Sequence, residues 1–113
     1  MKPLPTAGIY EMALVFTGEL HKYICEGESM APTLGDCEVV LVDKQAEISV
    51  GDIVVAKHPL EQHTELVKRV ERINNYGDYF LVGDNLENSN DSRHFGAVAR
   101  DYIKGKVVAR AWF

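Results

Sequence analysis

Apolar and polar positions change rhythm once along the chain. Between residues 8 and 22, Ile9, Met12, Ala13, Phe16 and Leu20 recur at helical spacing, while Glu11, Glu19 and Lys22 interrupt any long apolar run. This predicts an amphipathic helix over residues 8–22 that packs on the rest of the molecule. From Tyr23 onward short β-branched or apolar runs take over, at 39–42, 53–56, 65–70, 79–82 and 106–109. Gly35-Asp36, Val50-Gly51-Asp52, the stretch 74–78 and Gly83-Asp84-Asn85 punctuate them with turn residues. Short strands with polar turns in a small chain without repeats predict an all-β barrel or sandwich. The chain divides into an N-terminal segment, residues 1–22, and a β domain, residues 23–113.

Length adds that this is one domain, 113 residues long, with room for a core but little for a second function. Composition is that of an ordinary soluble globule, 46% hydrophobic and 26% charged. A net charge of −5 without a basic stripe excludes nucleic acid and disfavours an anionic membrane as partner. No window supplies the roughly 20 mostly apolar residues of a spanning helix. The apolar stretch 12–16 is too short for a secretory signal, and Lys2 is followed by Pro3 and Pro5. The expectation is a cytoplasmic protein without an integral membrane segment. Peripheral membrane contact through residues 8–22 is the second option, because the polar face of that helix carries as many acids as bases.

Cys25 and Cys37 form no CxxC and no His/Cys cluster, so a buried pair of free thiols is expected rather than a zinc site or a disulfide framework. His21, His58, His63 and His94 have no ligand spacing and read as surface or loop residues. No metal and no cofactor are expected.

Two positions carry candidate chemistry. Ser29 lies in Glu26-Gly27-Glu28-Ser29-Met30-Ala31-Pro32-Thr33-Leu34, between a flexible glycine and a turn-fixing proline. A serine hydroxyl needs a neighbouring base and a partner for the oxyanion. In the run 65–70, alternation puts Lys68 on one face with Leu66 and Val70. Burial disfavours an ammonium, and a fall in pKa from about 10.4 to about 8 corresponds to roughly 3 kcal/mol. The neutral amine that results is what a general base requires. On this strand alone, a lysine snorkelling from a sheet edge is the favoured reading. The polar segment 83–96 fails the calcium-loop pattern at Leu86 and Ser89, and by itself reads as a solvated connection.

Together the segments resemble a known family. Ser29-Met30-Ala31-Pro32-Thr33-Leu34, Gly51-Asp52-Ile53-Val54-Val55, Val67-Lys68-Arg69-Val70, and Gly83-Asp84-Asn85 through Ser89, Asp91-Ser92-Arg93 and Gly96 are similar, in this order, to the motifs of signal peptidase I and its relatives. These are Ser/Lys endopeptidases with an all-β, signal-peptidase/LexA-like β-barrel catalytic domain. The resemblance implies Ser29 as nucleophile, Lys68 as base and Ser89 as the serine that orients the lysine amine. It further implies Asp91 and Arg93 as a pair propping that loop, the Ser29 N–H as one oxyanion donor, and Met30 on the wall of the substrate cleft. Some relatives carry an oxyanion-binding hydroxyl where this chain has Gly27, so a second donor has to come from a main-chain group or water.

The short gap between Val70 and Gly83 leaves no space for the accessory β-domain of many signal peptidases. In this the chain is most similar to the small nickel-type superoxide dismutase maturation proteases. The implied substrate is then a protein precursor, the nickel superoxide dismutase proenzyme, which loses an N-terminal extension. The alternatives are a signal peptidase cleaving exported preproteins at a membrane surface, a LexA-type self-cleaving domain, and a non-catalytic binding module. The LexA-type reading wants a DNA-binding unit and cleavage linker that the 28 residues before Ser29 cannot hold.

Overall fold

The computed structural model describes residues 2–61 and 63–112. Helix α1, Ile9–Thr17, ends where Gly18 adopts φ +84° and its N–H turns back to the carbonyls of Leu14 and Val15. That left-handed cap suits glycine and stops the helix. The chain re-emerges as β1, His21–Cys25. The helix expected over residues 8–22 is therefore a shorter helix followed by the start of a strand, and the division drawn after residue 22 falls inside β1.

The helix also turns a different side to the protein than its apolar spacing suggests. Leu14 and Val15 pack on Ala7, Leu20, Leu41 and Ala109. Ile9 and Phe16 stay 77% and 84% exposed. Apolar residues sit on both sides of α1, so periodicity alone did not identify the buried one.

Five further strands follow: β2 Glu38–Asp43, β3 Ile53–Lys57, β4 Glu65–Ile73, β5 Tyr79–Val82 and β6 Ile103–Arg110. They form one antiparallel sheet in the order β1-β2-β6-β3-β4-β5. Its outer strands, β1 and β5, do not pair with each other, so the sheet is open where a closed barrel was expected. Register shifts at Leu41/Val42, Val55/Ala56 and Val70/Arg72 interrupt the ladders. Such bulges bend strands and increase twist, which curls a sheet without closing it. Central β6 approaches β2 closely at Gly105, where a Cβ would stand 2.6 Å from Val42 Cγ1.

Alternation along β2 divides the core. Val40 and Val42 join Cys25, Met30, Leu34, Ile53, Val55 and Val107 in one cluster, whereas Leu41 joins the cluster under α1. A third cluster, Val54, Ala56, Val70, Leu81, Val98 and Ile103, is covered in part by Phe95. The link from β5 to β6 carries a 3-10 turn, Leu86–Asn88, the short helix α2, Ser92–Phe95, and a second 3-10 turn, Arg100–Tyr102.

Candidate active site

Ser29 is placed by its neighbours more than by its own side chain. Met30 and Leu34 are fully buried and anchor the turn that follows it, with Leu34 N donating to Met30 O at 2.9 Å. On the other flank Gly27 adopts φ +83°, and its N–H donates to Asp36 Oδ1 at 2.7 Å. A Cβ at Gly27 would meet open space, so it is the left-handed backbone that demands glycine there. From above, Asn85 N donates to Ser29 O at 2.9 Å and Asn85 Nδ2 to Glu28 O at 3.1 Å. Among the described residues the Ser29 N–H makes no hydrogen bond, which leaves it able to donate to a ligand.

Lys68 lies in the middle of β4, opposite Val54, and is only 4% exposed. Burial lowers its pKa, Asp91 and Cys25 oppose that fall, and Arg93 adds to it. The lysine is thus buried, as its place in an apolar run suggested. Among the described residues its ammonium makes no ion pair. Ser29 and Lys68 open on the same cleft of about 730 Å³, whose walls include Tyr23, Val39, Val55 and Val67. The lining comes from β1, β2, β3 and β4, so the cleft lies within the curl of the open sheet.

The loop after β5 brings the remaining residues together. Ser89 donates its hydroxyl to Asp91 Oδ2 at 2.6 Å, and Gly83 N donates to the same oxygen at 2.9 Å. Arg93 reaches Asp91 through Nε at 2.9 Å and Nη2 at 3.0 Å, and Nη2 also donates to Leu86 O at 2.7 Å. Burial works to raise the Asp91 pKa, but bonds from Arg93, Ser89 and two backbone amides hold it far below the usual carboxylate range. Asp91 is therefore a fixed anion beneath the loop. Because Ser89 spends its proton on Asp91, its oxygen keeps lone pairs that a lysine ammonium could use, although no Ser89–Lys68 hydrogen bond is present among the described residues.

Three placements differ from expectation. Met30 is not on the cleft wall; it is fully buried in the core, with its sulfur 3.5 Å from the donating Asp84 N. Cys25 is buried but Cys37 is exposed, at φ +64°, so the thiols are free without being a buried pair. His58 is a loop residue, as expected, but a buried one, whereas His63 is an exposed turn residue that agrees with expectation and also lines the cleft.

Other residues that position the site had been assigned no role. Arg69 donates to Asp84 through Nε at 2.9 Å and Nη2 at 2.8 Å, and through Nη1 to Gly51 O at 2.7 Å. Asp84 in turn accepts from Thr33 Oγ1 at 2.6 Å. This chain ties the turn after Ser29 to the strand residue next to Lys68. Gly83 is threaded between the two serines: a Cβ there would stand 2.2 Å from Ser89 Oγ and 2.5 Å from Ser29 O. Both belong to motifs visible in the sequence, but a motif does not say which of its members bond across 15 residues.

A hydroxyl and an amine with a depressed pKa facing one cleft, beside an available backbone N–H, can support nucleophilic acyl transfer. Comparison with known proteins agrees. The profile of the family described as signal peptidase, peptidase S26, matches residues 4–73 and 74–112. The chain is 33% identical over 127 residues to mitochondrial inner membrane protease subunit 1 of Xenopus tropicalis, covering 92% of this chain and 75% of that protein. The subunit 1 of Schizosaccharomyces pombe is 33% identical over 125 residues, covering 86% and 80%. Signal peptidase IB of Staphylococcus aureus is 53% identical over 36 residues, or 32% of this chain and 19% of that protein.

These relatives correct one expectation. A cytoplasmic location does not stand against relatives that are named as mitochondrial inner membrane protease subunits, which point to a membrane-associated setting. No described helix is long and apolar enough to cross a membrane. The resemblance to nickel superoxide dismutase maturation proteases narrows to the family level, since the relatives named above are inner membrane protease subunits and a signal peptidase. With the profile spanning nearly the whole chain, this protein belongs to the signal peptidase, peptidase S26, family and is a serine peptidase of the signal-peptidase type.

Proposed function

We propose that Ser29 attacks the scissile carbonyl while Lys68 takes its proton and passes it to the leaving amine. Water, activated by the same amine, then hydrolyses the acyl ester on Ser29. Ser89 orients the lysine, Asp91 and Arg93 hold Ser89 in place, and the Ser29 N–H donates to the oxyanion beside Gly27. The observation that carries this reading is the joint opening of Ser29 and a buried Lys68, without an ion pair among the described residues, on one cleft. The substrate is a protein precursor that loses an N-terminal extension.

The finer assignment is the nickel superoxide dismutase proenzyme. It is supported by the tight turn at Asn74–Asp78, closed by Asn74 N to Asp78 O at 2.9 Å, which joins β4 to β5 without an inserted domain. Co-expression with that precursor, reading the product N-terminus by mass spectrometry, tests it. A new terminus beginning His-Cys is expected, and an uncleaved precursor beside active enzyme contradicts the assignment. A second reading, cleavage of exported preproteins at a membrane surface, is favoured by the names of the relatives. Membrane fractionation with a preprotein substrate separates the two.

A further inference from the structure

His58, directly after β3, uses its buried side chain as a backbone cap. Nδ1 accepts from Leu60 N and from Glu61 N, each at 3.0 Å. An imidazole nitrogen that accepts carries no proton, so the ring is neutral and protonated on Nε2. The pattern, a side chain accepting from the amides two and three residues on, is one that Asn or Asp ordinarily supplies in a turn. From there the bonding continues to the cleft. Thr64 N donates to Glu61 O at 3.4 Å, His58 N donates to Thr64 O at 2.9 Å, and Thr64 lines the cleft with its neighbour His63. His63 sits at φ +67°, in the left-handed region. The other face of the His58 ring packs on Phe95, centroids 4.8 Å apart, at the end of the helix that begins beside Asp91.

We propose that His58 is a positioning residue for substrate binding, whose neutral ring holds the turn that presents His63 and Thr64 to the cleft that Ser29 also lines. It rests on the peptidase reading above, because the wall it shapes is that of the same cleft. Its effect is on binding, since its side-chain hydrogen bonds go to the turn and not to the Ser89–Asp91–Arg93 or Arg69–Asp84–Thr33 networks that hold the reacting groups, which its ring approaches through Phe95.

The test is a KM-against-kcat comparison on a precursor peptide for His58→Leu and His58→Asn. Losing the two capping bonds should raise KM about five- to tenfold in the leucine variant with kcat within about twofold. Asparagine, which can accept from the same two amides, should recover most of that rise. A leucine variant with unchanged KM, a loss confined to kcat, or no rescue by asparagine would overturn the assignment. Nitrogen NMR of the wild-type ring gives a readout that needs neither variant nor activity. Nε2 protonation with slow exchange at the Leu60 and Glu61 amides is expected, and Nδ1 protonation overturns the proposal. Failure of the peptidase reading would instead appear as wild-type protein that cleaves nothing while the ring signature persists.

Discussion

At the scale of single residues, the account turns on a lysine that the fold keeps out of water. Burial lowers the pKa of Lys68, so the neutral amine becomes available at lower pH than for a free lysine. The rate of processing should climb with pH through that depressed value and level off above it, and Lys68→Arg should be inactive because guanidinium stays protonated. A Lys68→Ala variant that follows the same rising limb as wild type would contradict this. Linkage has the same sign. The unfolded chain binds the lysine proton more tightly, so this residue's contribution to stability improves as pH rises from the folded value towards about 10.4. Gly27 yields a prediction about stability that the backbone angle supplies. A serine there fits sterically but must adopt φ +83°, so Gly27→Ser should lose about 1 to 2 kcal/mol of stability, read by denaturant titration, in place of simply gaining an oxyanion donor.

At the scale of elements, the loop after β5 is a clamp between the serine segment and β4. Gly83→Ala would drive a methyl group into Ser89 and the Ser29 carbonyl. It should cost about 1 to 3 kcal/mol and most of the activity, measured by melting and by precursor turnover, and a variant normal in both would refute the clamp. Asp84→Asn breaks a buried ion pair with Arg69, whose side chains are 5% and 10% exposed, and should cost about 3 kcal/mol. Asp84 and Asp91 both have carboxyls held below their ordinary pKa, against burial, by hydrogen bonds from Arg69 and Arg93 respectively. Their stabilisation is present above about pH 4 and fades as the pH falls through the lower folded values, which acid titration of Asp91→Asn against wild type should show as a flatter acid limb.

These elements differ in how far the sequence disclosed them. Strands β2 to β6 stood out because β-branched runs lay between Gly, Asp and Asn turns. β1 did not, because Leu20 extended the helical spacing across the Gly18 stop. Ser29, Lys68, Ser89 and Asp91 were legible as ordered motifs, and the structure brings Ser89, Asp91 and Arg93 into direct contact. The Arg69–Asp84–Thr33 chain and the His58 cap were not legible, since each is made by partners whose bonding depends on three-dimensional placement and not on residue type.

At the scale of the whole molecule, an open sheet curls around a cleft, with α1 on the outside and the loop 83–96 bonded to the Ser29 segment and to Arg69, the neighbour of Lys68. The peptidase chemistry needs only that cleft, whatever precursor enters it. The central claim is that Ser29 becomes acylated with Lys68 as its base. The most direct measurement is an acid-quenched single turnover of a precursor, followed by intact mass and peptide mapping of the enzyme. An ester-linked fragment on Ser29 is predicted, absent in Ser29→Ala and in Lys68→Ala, with turnover in each reduced far beyond the tenfold that about 1.4 kcal/mol of barrier represents. An adduct on another residue, or cleavage by Ser29→Ala within tenfold of wild type, would contradict the account.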